Sequence, residues 1–157
     1  MIQQQIESIR RQVTVRASQQ RAFEVFTAGM TGWWPKQHHI GSAPIEEIVI
    51  EPREGGRWYT RHEDGTETST GFVQAWEPYD RVVLTWNINA EWKYDPGLIT
   101  PVELRFVAEA PDRTRVELEH RELERFGAEA EKMRAVFESP DAWAGTLAAF
   151  AAAAEQG

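Results

Sequence analysis

The stretch Ser139-Pro140-Asp141-Ala142-Trp143-Ala144-Gly145-Thr146-Leu147-Ala148-Ala149-Phe150-Ala151-Ala152-Ala153-Ala154-Glu155 decides the fold. It reads as one long helix. Ser139 suits the N-cap, where a hydroxyl can accept an orphan backbone N–H. Pro140 suits the first helical position, since its missing N–H has no partner there anyway. Asp141 places negative charge on the positive end of the dipole, and the alanines give high propensity. Trp143, Leu147, Phe150, Ala151 and Ala154 recur at steps of three and four, which makes one apolar stripe. A stripe carrying two large aromatics needs a broad surface to lie against.

The chain upstream supplies that surface. Ile9, Val13, Val15 and Ala17 alternate with polar residues and predict a half-buried strand. Ser18 then caps a helix with Ala22, Phe23, Phe26 and Met30 on one side. Gly29, Gly32 and Trp33-Trp34-Pro35 end this helical pair, and Lys36 to Pro44 reads as a polar loop. Six strands follow: Ile45 to Ile50, Arg57 to His62, about Thr68 to Trp76, Val82 to Asn89, one through Val102 to Ala108, and one through Val116 to His120. Asp64-Gly65 is a strong hairpin signal between the second and third of these. Val82, Leu84 and Trp86, and likewise Val102, Leu104 and Phe106, have more polar alternates, so they should face the helix. Between Thr68 and Trp76 both alternating sets are apolar, and the inward face is not assigned. Phe126, Ala130, Met133 and Phe137 predict one further helix before the last. Hairpin-linked strands with segregated helices mean an α+β fold. A sheet this long curls around the terminal helix, and space remains between them unless side chains fill it.

Length predicts one domain over residues 1–157. The net charge of −8 offers no basic footprint for nucleic acid, and anionic membrane is disfavoured for the same reason. The chain has no cysteine, which excludes disulfides, thiolate nucleophiles and thiolate metal sites. No signal-peptide pattern and no apolar run of transmembrane length is seen, so the expected location is the cytoplasm. The aromatic count, seven Trp and seven Phe, is not ordinary, and many of these rings must be buried in the core or must line something. Trp in particular sits poorly in a core unless its N–H finds a partner.

The ordered set Phe26 through Trp34-Pro35, Gly55-Gly56-Arg57-Trp58, Asp64-Gly65, Gly71, Trp76-Glu77-Pro78, Arg81-Val82-Val83-Leu84-Thr85-Trp86 and Thr114-Arg115-Val116-Glu117-Leu118 resembles the AHSA1-like family, within the START and Bet v 1-like (SRPBCC) superfamily. The resemblance covers essentially the whole chain. It implies the helix-grip fold: a curved antiparallel sheet around a long C-terminal helix, a short helical pair after the first strand, and a cavity between sheet and helix. It also implies a ligand of the lipid, hormone or polyketide kind. Two other readings come with it, an activator of an Hsp90-type chaperone and a cyclase- or hydrolase-like enzyme. The chain has no room for the additional N-terminal domain of the eukaryotic activator, and no chaperone-contacting motif can be quoted. A second copy of the chain is a further candidate partner.

The expected activity is non-enzymatic binding of a small apolar or aromatic molecule. Its candidate contacts are Trp33, Trp34, Trp58, Tyr59, Phe72, Trp76, Trp86, Phe106, Met133, Phe137, Trp143, Leu147 and Phe150, with Arg57, Tyr59 or His120 as polar anchors. No catalytic constellation, phosphate loop or paired carboxylates stand out. Glu103, Glu117 and Glu119 fall on outward faces. His120 or His38 would be the base if the site were enzymatic. The pair His38-His39 lacks companion ligands at zinc spacing, so no metal and no cofactor is expected. His62, just before the Asp64-Gly65 turn, reads as solvated.

Overall fold

Five successive hairpin connections build most of the molecule. The computed structural model describes residues 6–36, 38, 40 and 42–156. Strands β1 (Ile9–Val15), β2 (Ile45–Ile50), β3 (Arg57–His62), β4 (Glu67–Glu77), β5 (Arg81–Trp86), β6 (Thr100–Ala110) and β7 (Arg113–His120) form one sheet in the order β1-β7-β6-β5-β4-β3-β2. All pairs are antiparallel. Helix α1 (Gln19–Phe26) and a 3-10 turn (Met30–Gly32) cross from β1 to β2, joining the two edges. Helices α2 (Ala130–Glu138) and α3 (Gly145–Glu155) close the chain. The sheet curls around these helices as the helix-grip fold requires.

Alternation sets the concave face. Val102 pairs with His120, Leu104 with Leu118 and Phe106 with Val116 across β6 and β7. Val82 and Leu84 continue the layer on β5. All of these are buried. Phe23 and Phe26 of α1 meet Phe106 edge to face at 5.2 and 6.0 Å, and Phe150 of α3 meets Phe26 at 5.3 Å. Burying each large side chain stabilises by about 1.5–3 kcal/mol, and good edge-to-face geometry adds about 0.5–1.5 kcal/mol per pair. Ser18 caps α1 as expected, its hydroxyl accepting from Arg21 N–H at 3.1 Å. Arg21 in turn donates from Nε to the Ala154 carbonyl at 2.8 Å, placing a cation at the C-terminus of α3.

Strand β4 has no fixed inner parity, because two bulges interrupt it. Its pairing shifts opposite Trp58 and Tyr59 and again between Val73 and Ala75. Each extra residue flips the faces beyond it. Thr68 and Thr70 therefore face inward, as does Val73, and so does Trp76 three residues later. Gly71 sits where β4 presses on β5; a Cβ there would lie 1.9 Å from the Thr85 carbonyl oxygen.

Two helical expectations are corrected. The terminal stretch is not one helix: Pro140–Ala144 forms a wider π turn with Ala142 outside helical geometry (φ −90°, ψ −124°), and α3 starts only at Gly145. Ser139 has no side-chain capping bond. Upstream, Gly127 takes φ +64°, which separates Phe126, in a 3-10 stretch over Leu123–Glu129, from α2. A third correction concerns His62. It is fully buried, with Nδ1 2.8 Å from the Ala43 carbonyl and Nε2 2.8 Å from Thr68 Oγ1.

Candidate functional site

One half of the space between sheet and helices is solid and the other half is hollow. Around Phe23, Phe26, Phe106 and Phe150 side chains fill it. Under the α2–α3 junction they do not, and a cavity of about 380 Å³ remains. Small-molecule pockets run from about 300 to 1,000 Å³. Its sheet wall comes from Ile48, Trp58, Thr60, Thr68, Thr70 and Trp86. Its helical wall comes from Val136 and Phe137 of α2, Ser139, the π turn, and Thr146 of α3. Trp34, His38, Ile88 and Trp92 stand at its sides.

Four indoles frame it. Trp34 meets Trp58 at 6.0 Å, Trp58 meets Trp86 at 6.0 Å, Trp86 meets Trp143 at 5.9 Å, and Trp143 meets Trp34 at 6.2 Å. Every contact is edge to face, so the quartet closes on itself. Four separate segments supply its members, and the quartet exists only in the folded chain. The break at Pro140–Ala144 is what carries Trp143 into the ring instead of leaving it on a straight helix.

A hydrogen-bond chain behind the quartet fixes Trp143. Its Nε1–H donates to His120 Nδ1 at 3.0 Å. Thr100 Oγ1 lies 2.8 Å from His120 Nε2 and donates its own proton to the Trp86 carbonyl at 2.9 Å. With Thr100 already a donor, His120 must carry its proton on Nε2 and accept on Nδ1. The ring is completely buried, which pushes its pKa down to about 3. It is a neutral structural imidazole that touches Phe137 at 4.5 Å. Trp34 Nε1 donates to the His38 carbonyl at 2.7 Å. Among the described residues, Trp86 Nε1 has no partner although it is sealed from solvent.

Among the described residues, the titratable groups lining the cavity are His38 and Asp141. Burial lowers the His38 pKa below its ordinary value, and the Asp141 carboxylate opposes that shift. No Lys or Arg lines the cavity among the described residues. Nor do three or more His, Asp or Glu gather there, or elsewhere among them, in a way that could hold a metal ion. His39 lies outside the described residues.

The expected contact residues divide into three groups. Trp34, Trp58, Trp86, Phe137 and Trp143 line the cavity. Trp33, Trp76, Phe106, Met133, Leu147 and Phe150 pack in the core or against it, and His120 is the buried support just described. Tyr59 and Phe72 are placed differently from the expectation: they alternate with inward residues and lie on the convex face. There the Arg57 guanidinium stacks 4.0 Å from the Tyr59 ring, so neither Arg57 nor Tyr59 can anchor a ligand inside. Sequence reasoning missed Thr60, Thr70 and Thr146, whose polar side chains do not stand out in an apolar pattern. It also missed Trp92, in a segment without periodicity. Trp92 takes φ +61° and keeps about half its surface in solvent (48 %) while reaching the cavity.

On the convex face Glu103 is a buried carboxylate clasped by three arginines. Burial alone would raise its pKa, but hydrogen bonds from Arg121 and Arg81 and the charge of Arg105 hold it below the usual range. No helix among the described residues is long and apolar enough to cross a membrane.

Comparison with known proteins agrees with this architecture. No curated protein matches the sequence. Among solved structures, an anthrahydroquino-γ-pyrone synthase, Txn09, is 35 % identical with a TM-score of 0.66, over 94 % of this chain and 96 % of that one. The self-sacrificing resistance protein CalC from Micromonospora echinospora is 29 % identical with a TM-score of 0.71, over 94 % and 93 %. The Aha1 dimer from Colwellia psychrerythraea shares the fold at 18 % identity, with a TM-score of 0.64 over 96 % and 97 %. The family model for activator of Hsp90 ATPase homolog 1-like proteins matches residues 16–155, and the chain belongs to that family.

Proposed function

We propose that the protein binds a flat aromatic small molecule in the cavity beneath the α2–α3 junction. The observation that carries this reading is the closed quartet of Trp34, Trp58, Trp86 and Trp143 around a space of about 380 Å³. Aromatic rings offer a flat guest both stacking and edge contacts at little entropic cost. Burial of apolar area contributes about 25 cal/mol per Å² before association costs, enough for micromolar affinity from a two- or three-ring guest. The quartet also supplies the readout. Titration with a hydroxyanthraquinone is expected to quench tryptophan emission saturably, at one equivalent and with a micromolar Kd. Native mass spectrometry of the same sample should show the one-to-one complex. Linear, unsaturable quenching with no complex in the mass spectrum would overturn the reading.

One observation favours a second reading, catalysis of a ring closure in the same cavity. His38 and Asp141 both line the cavity, and burial lowers the imidazole pKa, which favours the neutral form that can accept a proton, while the Asp141 charge opposes that shift. The relative at 35 % identity is described as a synthase. Under this reading His38→Ala abolishes turnover of a cyclisable polyketide while the hydroxyanthraquinone still binds. Unchanged turnover would remove His38 from any catalytic role. A chaperone contact would use the outer surface, and the relative described as Aha1 shares the fold alone.

A further inference from the structure

We infer that the occupant of the cavity is an uncharged aromatic molecule bearing oxygen substituents on two separate edges, a refinement that rests on the aromatic-ligand reading above. The threonines carry it. Seven are buried among the described residues: Thr27, Thr60, Thr70, Thr85, Thr100, Thr114 and Thr146. Four lie away from the cavity, and each has a side-chain partner. Thr27 donates to the Phe23 carbonyl at 2.8 Å, Thr100 to Trp86 at 2.9 Å and Thr114 to Ala17 at 2.9 Å, while Thr85 accepts from the Phe72 N–H at 2.9 Å. The other three line the cavity. Thr60, Thr70 and Thr146 are 6 %, 9 % and 2 % exposed, and none makes a side-chain hydrogen bond among the described residues. Their hydroxyls are open to the cavity, since the sealed and unbonded side-chain atoms are Trp86 Nε1 and Asn87 Oδ1.

The four threonines away from the cavity spend their hydroxyls on protein partners, whereas these three turn theirs to the cavity, where a guest that displaces water must replace the hydrogen bonds it removes. Geometry sorts the three into two groups. Thr60 of β3 pairs with Thr68, and Thr70 follows two residues further along β4 at its bulge, so both belong to the sheet wall. Thr146 projects from α3, on the helical wall. A guest between the walls meets polar groups on both sides and indole elsewhere. Hydroxyls can donate or accept, so they suit phenols and ketones equally. The charge of the guest follows from the lining. Among the described residues, Asp141 is its only fixed charge, burial lowers the His38 pKa, and no Lys or Arg is present. A carboxylate buried among these residues would lose its hydration and gain no cation, which favours an uncharged guest over an organic anion.

Calorimetric titration of the intact protein at neutral pH with three probes of one ring system tests this. The probes are naphthalene, a dihydroxynaphthalene with its hydroxyls on opposite rings, and naphthoate. The dihydroxynaphthalene is expected to bind about tenfold more tightly than naphthalene, and naphthoate at least tenfold more weakly than the dihydroxynaphthalene. Thr60→Val with Thr70→Val, and separately Thr146→Val, should each lower dihydroxynaphthalene affinity about three- to tenfold. Far-ultraviolet circular dichroism and a cooperative thermal transition report that the variants fold. Equal affinity for naphthalene and the dihydroxynaphthalene overturns this inference and leaves the aromatic-ligand reading standing. So does a naphthoate that binds most tightly, or a preference that survives all three substitutions. Binding of none of the probes overturns the aromatic-ligand reading itself.

Discussion

His120 is the residue on which two tryptophans of the quartet depend. It accepts from Trp143, and through Thr100 it is linked to the Trp86 backbone. Protonating Nδ1 would replace that acceptor with a donor facing another donor, in a fully buried site. Folded His120 therefore stays neutral down to a pKa of about 3, whereas the unfolded imidazole takes up its proton near 6.5. Below pH 6.5 the unfolded state binds the extra proton, so stability falls with pH across that window, at about 1.4 kcal/mol per pH unit from this group. Above pH 6.5 neither state is protonated and the group makes no pH-dependent contribution. Urea denaturation should show a loss of about 2 kcal/mol between pH 6.5 and 5 from His120. His120→Gln should be less stable at neutral pH and show a shallower slope between those values. Equal slopes would mean the imidazole is not held neutral. The place of His120 on an apolar face was legible in the strand alternation. Its acceptor role was not, because Trp143 lies 23 residues away and comes within reach only through the helix break.

At the scale of elements, the break between Ser139 and Gly145 shapes the site. Capping and propensity pointed to an uninterrupted helix, and both describe local preference only. Packing overrode them: the π turn lets Trp143 reach His120 and leaves Ser139, Asp141 and Ala142 on the cavity wall. Gly145 makes the turn sterically feasible. A Cβ at that position would sit 2.9 Å from the Pro140 carbonyl oxygen, a backbone atom that cannot swing aside. Gly145→Ala thus sets two effects against each other. Helix propensity favours alanine by about 1 kcal/mol, and the contact forces the turn to shift. The steric effect should win, giving a net loss of about 1–2 kcal/mol in thermal denaturation and weaker hydroxyanthraquinone binding. A more stable variant with unchanged affinity would show that the turn is incidental. Strand β4 teaches the same lesson. Its alternation could not assign a face because two bulges change the parity, and no residue type in the sequence marks where they fall.

On the whole molecule, the aromatic excess was legible as a sign that something is lined, and strand order gave the sheet. The division into a solid half and a hollow half was not legible, since it depends on which of fourteen rings meet one another. That division predicts how ligand binding spreads through the chain. Phe23, Phe26, Phe106 and Phe150 pack without a gap at one end, so the segments around them already have what stabilisation packing can give. Around the cavity, the π turn and the segment holding Trp92 face empty space on one side. A guest at one hundred times its Kd stabilises the folded state by about 2.7 kcal/mol, which shifts the midpoint of a chain this size by several degrees. The local openings that expose the π turn and the Asn89–Asp95 segment should be suppressed, while β1, β6 and β7 exchange only through global unfolding and gain no more than the global increment. Hydrogen exchange with and without a hydroxyanthraquinone measures this. Added protection should concentrate in residues 88–95 and 136–147, with β6 and β7 rising only in step with the melting temperature. Protection confined to the convex face, around Glu103 and its arginines, would place the guest outside the cavity.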